Sequence, residues 1–375
     1  MAGVAQIVNS LGHGGVENLS SRIASALAEA RLGSHLVVTA KGPVELAYAM
    51  APSVEVWSAE RHFALDLGAL RRMGRYFDSA GVDVVHSHNW VAAYHAQGAA
   101  FFARQRPVHV FHCHAGTRQG AHGPLDQWVL RGVDTVVCVT EAIRGSFEAQ
   151  LGLPEDRCLL IPNGVEVYPL AAPFEGSPTV VQVANLQDPK AHDVALQAAA
   201  RLKQRVGAFR WVCIGLKDED PGYTERIHRL VDELDLGDCV ELVGPRSDVR
   251  DWLRKAHVGV LSSDQEGFPV SVLEYMAEAL PVVMTDVGQA PHAIREAGAG
   301  AIVKVRDADA LADAIALRLE DRPAARAEGL AGRAHVERFF GFAGMMKALR
   351  GLYADGLLRR GRSAAAARIR GSQAE

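Results

Sequence analysis

The sequence of 375 residues lacks the features that identify several classes of protein. Its five cysteines form no C-x-x-C pair, and their spacings match neither a zinc site nor a disulfide framework. No apolar run approaches the ~18 residues of a membrane-spanning helix. The net charge of −4 shows no basic excess of the kind that binds nucleic acid. The first ten residues contain no Lys or Arg, so we expect no secretory leader and predict a cytoplasmic protein with reduced thiols.

The sequence does contain a repeated alternation of short apolar runs and segments with helical periodicity. Near-continuous apolar strands separated by helices indicate a parallel sheet that is covered on both faces. The strands predicted in the first half are Val4–Asn9, His35–Thr39, Val54–Trp57, Val82–His86, Val108–His112 and Thr135–Val139. Those predicted in the second half are Val180–Ala184, Arg210–Ile214, Val240–Val243, Gly259–Leu261 and Pro281–Thr285.

A segment rich in Pro, Gly and Asn at residues 163–178 separates the two patterns. We therefore predict an α/β protein with two doubly wound parallel-sheet domains, residues 1–165 and 166–340. Residues 341–375 are predicted to form a helix that packs back on the first domain, followed by a basic tail. The arginines of that tail are expected on a frayed, solvated helix, with a weak contact to anionic lipid as the alternative.

A glycine-rich turn follows the first predicted strand. Gly12, Gly14 and Gly15 lie between this strand and an apolar-periodic helix, where backbone N–H groups can approach an anion. A dinucleotide-binding fingerprint is the alternative interpretation. It fails because Glu17 occupies the third glycine position and because no acidic residue follows the second strand.

Two histidine pairs share one spacing, His86-x-His88 and His112-x-His114. Residues i and i+2 of a strand share a face, so each pair can point at one spot. Three interpretations are open at this point. The pairs can hold a metal ion, they can be structural residues that line a cleft between the domains, or one histidine can act on a hydroxyl nucleophile or a sugar oxygen.

The strongest signal for function is the segment that runs from Asp264 to Glu274. It places Glu266 in a loop after a strand and Glu274 in the helix that follows, with Pro269 near the first helical turn. Carboxylates accept charge-assisted hydrogen bonds from paired hydroxyls, as on a sugar or a ribose. For the second acid a capping box with Ser271 is the alternative.

A second signal is Lys190, which follows the first strand of the second half and precedes a helix. A lysine together with the free N–H groups of a helix start is suited to hold a diphosphate. A solvated surface lysine is the alternative interpretation.

These residues together resemble the retaining glycosyltransferases of glycosyltransferase family 4, over roughly residues 4 to 350. The resemblance implies the GT-B architecture, in which two Rossmann-like domains face a central cleft. It implies that Glu266 and His114 act at the transferred sugar. His112 is the alternative position for the family's histidine and matches it less well. The residues that it implies for binding the donor are Gly14, Gly15, Asn185, Lys190, Gly267, Phe268, Pro269, Val270 and Glu274.

Three positions depart from the family pattern. Asn185 stands where an arginine is usual, and a neutral amide replaces neither the charge nor the fork of a guanidinium. Ala279 stands in place of a common glycine, and His292 in place of a common glutamate. Lys190 and the helix start beside it are therefore expected to take a larger share in binding the diphosphate.

The implied reaction transfers a sugar from a nucleoside diphosphate, expected to be UDP, to an acceptor hydroxyl, with retention at the anomeric carbon. The resemblance implies no metal and no cofactor, because Lys190, loop amides and helix dipoles stabilise the leaving diphosphate. The acceptor is open between a polysaccharide, a lipid-linked glycan and a small aglycone.

The sequence also leaves other partners and functions open. No nucleic-acid partner is expected. Arg71, Arg72 and Arg75 indicate a weak peripheral contact with the inner face of the membrane, with a solvated helix face as the alternative. The alternative functions are a nucleotide-sugar-binding protein with weak catalysis, a glycoside phosphorylase or sugar-nucleotide epimerase of the same fold, and a metal-dependent hydrolase.

Overall fold

The computed structural model describes residues 2–11, 15–41, 50–63, 66–114, 123–151, 153–215 and 221–371. The chain divides into two compact units. Unit 1 consists of Met1–Asn163 together with Gly344–Glu375, and unit 2 consists of Gly164–Ala343.

Unit 1 is built on one parallel sheet. Its strands are β1 (Gly3–Val8), β2 (Gly33–Ala40), β3 (Glu55–Arg61), β4 (Val82–Ser87), β5 (Val108–Cys113), β6 (Thr135–Cys138) and β7 (Cys158–Leu160). They lie in the order β3-β2-β1-β4-β5-β6-β7. The helices between them are α1 (Gly15–Glu29), α2 (Leu67–Ser79), α3 (Trp90–Ala100), α4 (Pro124–Gly132) and α5 (Glu141–Leu151).

Unit 2 has a second parallel sheet. Its strands are β8 (Thr179–Val183), β9 (Arg210–Ile214), β10 (Val240–Gly244), β11 (Val258–Leu261), β12 (Val282–Thr285) and β13 (Gly300–Val303), in the order β10-β9-β8-β11-β12-β13. Its helices are α6 (His192–Val206), α7 (Pro221–Glu233), α8 (Val249–Leu253), α9 (Val270–Ala277), α10 (Ala290–Ala297), α11 (Ala308–Glu320) and α12 (Arg322–Phe339).

Adjacent residues of the strands in unit 2 enter two separate hydrophobic cores. Val180 and Trp211 pack with residues of α6 and α11, whereas Val181 and Val212 pack with residues of α9 and α10. Successive side chains of a strand point to opposite faces, so a sheet buried on both faces needs apolar residues throughout. This is why the strands appear as near-continuous apolar runs in the sequence, and it confirms the prediction of doubly wound sheets.

Every strand predicted from the sequence overlaps a strand of the structure. Two strands were not predicted, β7 and β13, and they have only three and four residues. Both lie at the edge of their sheet. Short edge strands carry little hydrophobic signal, because fewer neighbours cover them.

The strand orders fix where each unit can bind a ligand. In unit 1 the connections leave in opposite directions from β1 and β4, which are neighbours in the sheet; in unit 2 the same holds for β8 and β11. The segments that follow such a pair of strands diverge and leave a crevice at the carboxyl ends of the strands. Open α/β sheets bind ligands at this switch point.

The C-terminal segment contradicts the expectation of a frayed, solvated tail. Helix α13 (Phe342–Arg359) is followed by α14 (Ser363–Gly371), and Ile369 of α14 is fully buried. The Arg360 guanidinium donates hydrogen bonds of 2.7 to 3.1 Å to both carboxylate oxygens of Asp134. Arg360 therefore fixes this segment to unit 1 instead of facing solvent or lipid.

Candidate functional site

The two main candidates in the second half of the sequence contact each other directly. Lys190 Nζ donates a hydrogen bond of 2.7 Å to Glu266 Oε1, and the same oxygen accepts one of 2.7 Å from Ser263 Oγ. Lys190 follows β8 and Glu266 follows β11, the two strands at the switch point of unit 2. The Glu266 side chain is 9% exposed and that of Lys190 is 22% exposed, so the ion pair is shielded and open to solvent mainly at the lysine.

Hydrogen bonds join the loop after β8 to the loop after β11. Ser262 Oγ donates to the carbonyl oxygens of Lys190 and Ala191, at 2.9 and 3.0 Å. The backbone N–H of Asp264 donates to the carbonyl oxygen of Pro189 at 2.8 Å. Because Ser262 is fully buried, these bonds are not exchanged with water, and they hold both loops in place.

Two residues beside this pair are not indicated by any pattern in the sequence. Ser263 contacts the Glu266 carboxylate, and Arg306 forms ion pairs with Asp193 and Asp264. Arg306 lies 113 and 42 positions away from these two partners in the sequence. No local pattern reveals a contact over that separation, because it depends on how the loops of the sheet converge.

Gly288 allows two loops to come into close contact. Its φ of +68° lies in the left-handed region, and a Cβ there would stand 2.4 Å from Gly267 O and 3.0 Å from Glu266 O. The N–H of Gln289 donates to the same Gly267 oxygen at 3.0 Å. A side chain at position 288 would therefore displace the backbone that holds the Glu266 carboxylate.

We expect Gly288→Ala to lower the free energy of unfolding by about 2–3 kcal/mol, from left-handed strain plus overpacking. Gly298→Ala is the matched control, because Gly298 has a φ of +65° but no atom within 4 Å of the added Cβ. It is expected to lose only about 1 kcal/mol. Urea unfolding of both variants measures the difference, and equal losses would contradict the contact with the Glu266 loop.

The helix after the acidic loop begins without a capping box. Pro269 is the N-cap, Val270 is the first residue of α9, and Ser271 lies inside the first turn. The capping-box interpretation is therefore wrong. Glu274 is half-buried in the second turn, and Phe268 before the N-cap is also half-buried.

The three departures from the family pattern lie in different surroundings. Asn185 is half-buried in the segment between β8 and Lys190. Ala279 has a φ of +56°, a left-handed conformation that glycine adopts more readily than alanine. The His292 side chain is 82% exposed on α10 and lies 3.6 Å from Glu296.

The described candidates of unit 1 lie at the end of its sheet where the strands have their carboxyl ends. Gly14 lies outside the described residues, and Gly15 is the exposed first residue of α1. His114 directly follows β5, and its Nε2 lies 3.1 Å from Nδ1 of His88. His112, the alternative to His114 for the histidine near the sugar, is fully buried.

The His114 ring is uncharged at neutral pH. Burial lowers its pKa to about 4, and a hydrogen bond with Asn163 works in the opposite direction. A neutral imidazole suits a hydrogen bond with an uncharged hydroxyl better than an ion pair with a phosphate.

Comparison with known proteins assigns both halves of the chain. The family model described as Glycosyltransferase Family 4 matches residues 13–167, and the model described as Glycosyl transferases group 1 matches residues 171–335. The structure of HepE from Anabaena in complex with UDP and glucose has a TM-score of 0.73 at 18% identity, covering 93% of this chain and 98% of that one. At this identity the structural likeness shows a shared fold.

Two curated proteins are similar in sequence. Over 170 residues the chain is 36% identical to the amylovoran biosynthesis glycosyltransferase AmsK of Erwinia amylovora. This match covers 43% of this chain and 40% of AmsK. The match thus spans less than half of that relative. Over 335 residues it is 29% identical to the D-inositol 3-phosphate glycosyltransferase of Acidothermus cellulolyticus, covering 80% of this chain and 72% of that protein.

Proposed function

Because this chain belongs to the glycosyltransferases of family 4 and group 1 and has the GT-B architecture, we propose that it transfers a sugar from a nucleoside-diphosphate sugar to an acceptor hydroxyl with retention. UDP is the proposed nucleotide, which the UDP and glucose held by HepE support. A growing polysaccharide or other glycan is the proposed acceptor, which the likeness to an amylovoran biosynthesis enzyme supports. The observation that most supports transfer is the Lys190–Glu266 pair at the switch point.

This ion pair has the right chemistry to open around a nucleotide sugar. Diphosphate oxygens accept hydrogen bonds from the Lys190 ammonium, and sugar hydroxyls donate to the Glu266 carboxylate. A bound donor thus gives each charge a new partner, so that neither is left buried and unpaired. Ser263 keeps its hydrogen bond to Glu266 and holds the carboxylate in place.

In the proposed reaction the bond between the anomeric carbon and the diphosphate oxygen breaks, and the acceptor oxygen bonds to the same face of that carbon. The acceptor's proton passes to the leaving phosphate oxygen. Lys190 and the positive end of the α6 helix dipole stabilise the negative charge that develops there. We propose that the reaction needs no metal or cofactor, since the lysine supplies the positive charge, and that His114 donates or accepts a hydrogen bond at a sugar hydroxyl.

A panel of nucleoside diphosphates and nucleotide sugars, tested by thermal shift, examines this proposal. A true donor at a hundred times its Kd is expected to add about 2.7 kcal/mol to the free energy of unfolding.

Lys190→Ala is expected to weaken nucleotide binding by roughly 10- to 100-fold, the value of one charged hydrogen bond. Lys203→Ala, which removes a half-buried lysine paired with Asp235 and Asp238, is the control and should bind normally. Equal weakening in both variants, or transfer that depends on added Mg²⁺ or Mn²⁺, would contradict the role of Lys190.

We also propose that the enzyme works in the cytoplasm in peripheral contact with the membrane. No helix in the described part of the chain combines the length and apolar character that crossing a bilayer requires. Unit 1 does expose apolar and basic side chains together: Leu67 is 57% exposed, Phe101 64% and Phe102 37%. The Arg71 guanidinium lies 5.3 Å from the centroid of the Phe102 ring, and Arg75 is exposed one turn further along α2. Rings of this kind enter the headgroup region, and arginines attract anionic lipids.

Co-sedimentation with vesicles tests this contact. Exchanging Arg71 and Arg75 together for Gln is expected to weaken binding to phosphatidylglycerol vesicles by roughly 10- to 30-fold, at about 1 kcal/mol per charge. The control exchanges two exposed basic residues of unit 2, Arg254 and Lys255, for Gln. Equal losses from both exchanges would show that only overall charge matters, and no binding by the wild type would contradict the contact itself.

A further inference from the structure

Three histidines bring their rings together in the interior of unit 1. His86 lies on β4, His88 directly after it and His112 on β5. These strands are hydrogen-bonded neighbours, and the register that pairs His86 with Val110 sets His88 beside His112 on one face of the sheet. All three side chains are fully buried, and one nitrogen of each belongs to a set whose members lie within 4.8 Å of one another.

The hydrogen bonds around the rings leave a lone pair on each of them. His88 Nε2 lies 2.8 Å from Gln6 Oε1, and because an amide oxygen only accepts, the ring proton sits on Nε2 and Nδ1 keeps its lone pair. His86 Nδ1 is hydrogen-bonded to the Tyr353 hydroxyl at 2.6 Å, while its Nε2 has no hydrogen-bond partner among the described residues. The same is true of both nitrogens of His112.

Unpartnered polar atoms in a dry interior cost free energy, so His86 Nε2 and the two His112 nitrogens, which hydrogen-bond to no described residue, call for a ligand. We propose that His86, His88 and His112 bind one transition-metal dication of the Zn²⁺, Co²⁺ and Ni²⁺ class, for which imidazole is a preferred donor. Burial also holds the pKa of each ring well below its usual range, so the rings are in the neutral form that coordinates a metal.

The neighbours of the three rings fit this role. Zn–N bonds of about 2.0 Å at tetrahedral angles place ligand nitrogens about 3.3 Å apart, so binding draws the rings inward. Gln6 and Tyr353 then accept from the ring N–H groups that point away from the metal and fix the orientation of two rings. His88 Nδ1 exchanges its contact with His114 for the metal, and three protein ligands leave a fourth position open.

Titration with Co²⁺ tests the site directly, because Co²⁺ in a tetrahedral nitrogen site absorbs visible light far more strongly than the hydrated ion. The untagged full chain is stripped with EDTA, dialysed and titrated, and the bound ion is then displaced with Zn²⁺. We expect one equivalent of Co²⁺ with tetrahedral absorption in the wild type. In His112→Phe we expect this absorption to be lost. Zn²⁺ should raise the unfolding midpoint of the wild type and leave that of His112→Phe unchanged.

His109→Gln is the matched control. His109 lies on the same strand but points to the opposite face, where Ser87 and Gln97 hydrogen-bond its ring. This variant should keep the full Co²⁺ absorption. His112→Phe should fold, since it replaces a ring that hydrogen-bonds to no described residue by an apolar ring, and circular dichroism verifies this. His86→Phe serves as a second ligand variant. A wild type without tetrahedral absorption, or absorption that persists in both ligand variants, would overturn the proposal.

Discussion

Glu266→Ala is expected to lower kcat/KM for sugar transfer by roughly 100- to 1000-fold. The carboxylate is positioned by Ser263 and Lys190, and in the proposed complex it accepts hydrogen bonds from sugar hydroxyls. A hydrogen bond to a charged group contributes at least about 1.5 kcal/mol, and each 1.36 kcal/mol is a factor of ten in rate, so the loss of two such bonds at about 1.5–2 kcal/mol each gives this range. Initial rates of transfer with the donor identified by thermal shift provide the measurement.

Ser263→Ala is the matched comparison for Glu266. The Ser263 hydroxyl supports the carboxylate and makes no proposed contact with the sugar, and Lys190 still holds the same oxygen, so its removal is expected to lower kcat/KM by less than about tenfold. Both variants should stay folded, because Lys190 is partly exposed and can turn to water when its partner is removed. Similar activities of the two variants would contradict the role assigned to Glu266.

Unit 1 is expected to lose about 4–5 kcal/mol of its free energy of unfolding between pH 6.5 and pH 3 through His109 alone. Burial lowers the pKa of this ring to about 3, and the charges of Arg106 and Arg360 lower it further. In the unfolded chain the ring takes up a proton near pH 6.5, so the unfolded state binds more protons below that pH. The stabilisation is therefore complete above pH 6.5 and is lost as the pH falls through this window.

Urea unfolding in the presence of EDTA at pH 7, 6, 5 and 4 measures this loss. The slope with pH in His109→Gln should be smaller than in the wild type by up to about 1.4 kcal/mol per pH unit, whatever its stability at pH 7. His292→Gln removes an exposed ring and should leave the slope unchanged. A wild-type slope retained in His109→Gln would show that this ring is not buried in its neutral form.

Much of the fold can be predicted from the sequence, because sheets buried on both faces favour apolar residues at most strand positions. The pattern fails where a contact depends on distant residues. The arginines near the C-terminus appear as a solvated tail in the sequence, yet Arg360 pairs with Asp134, 226 positions earlier. Only the folded sheet brings these two side chains together.

The candidate site divides in the same way. Lys190 and Glu266 each follow a predicted strand, and because the carboxyl ends of parallel strands meet at one edge, their proximity could be expected. The spacing of the histidine pairs indicates a shared face but not their burial or partners. Tyr353, which contacts His86, lies 267 positions away in the sequence, so its hydrogen bond depends wholly on the packing of α13.

A crystal structure of the chain with its nucleotide sugar tests the central claim most directly, namely that the donor binds by opening the Lys190–Glu266 pair. The 2.7 Å contact between Lys190 Nζ and Glu266 Oε1 is expected to be replaced by a contact from Nζ to a phosphate oxygen and one from a sugar hydroxyl to the carboxylate. A donor bound elsewhere, with the ion pair still closed, would contradict the claim.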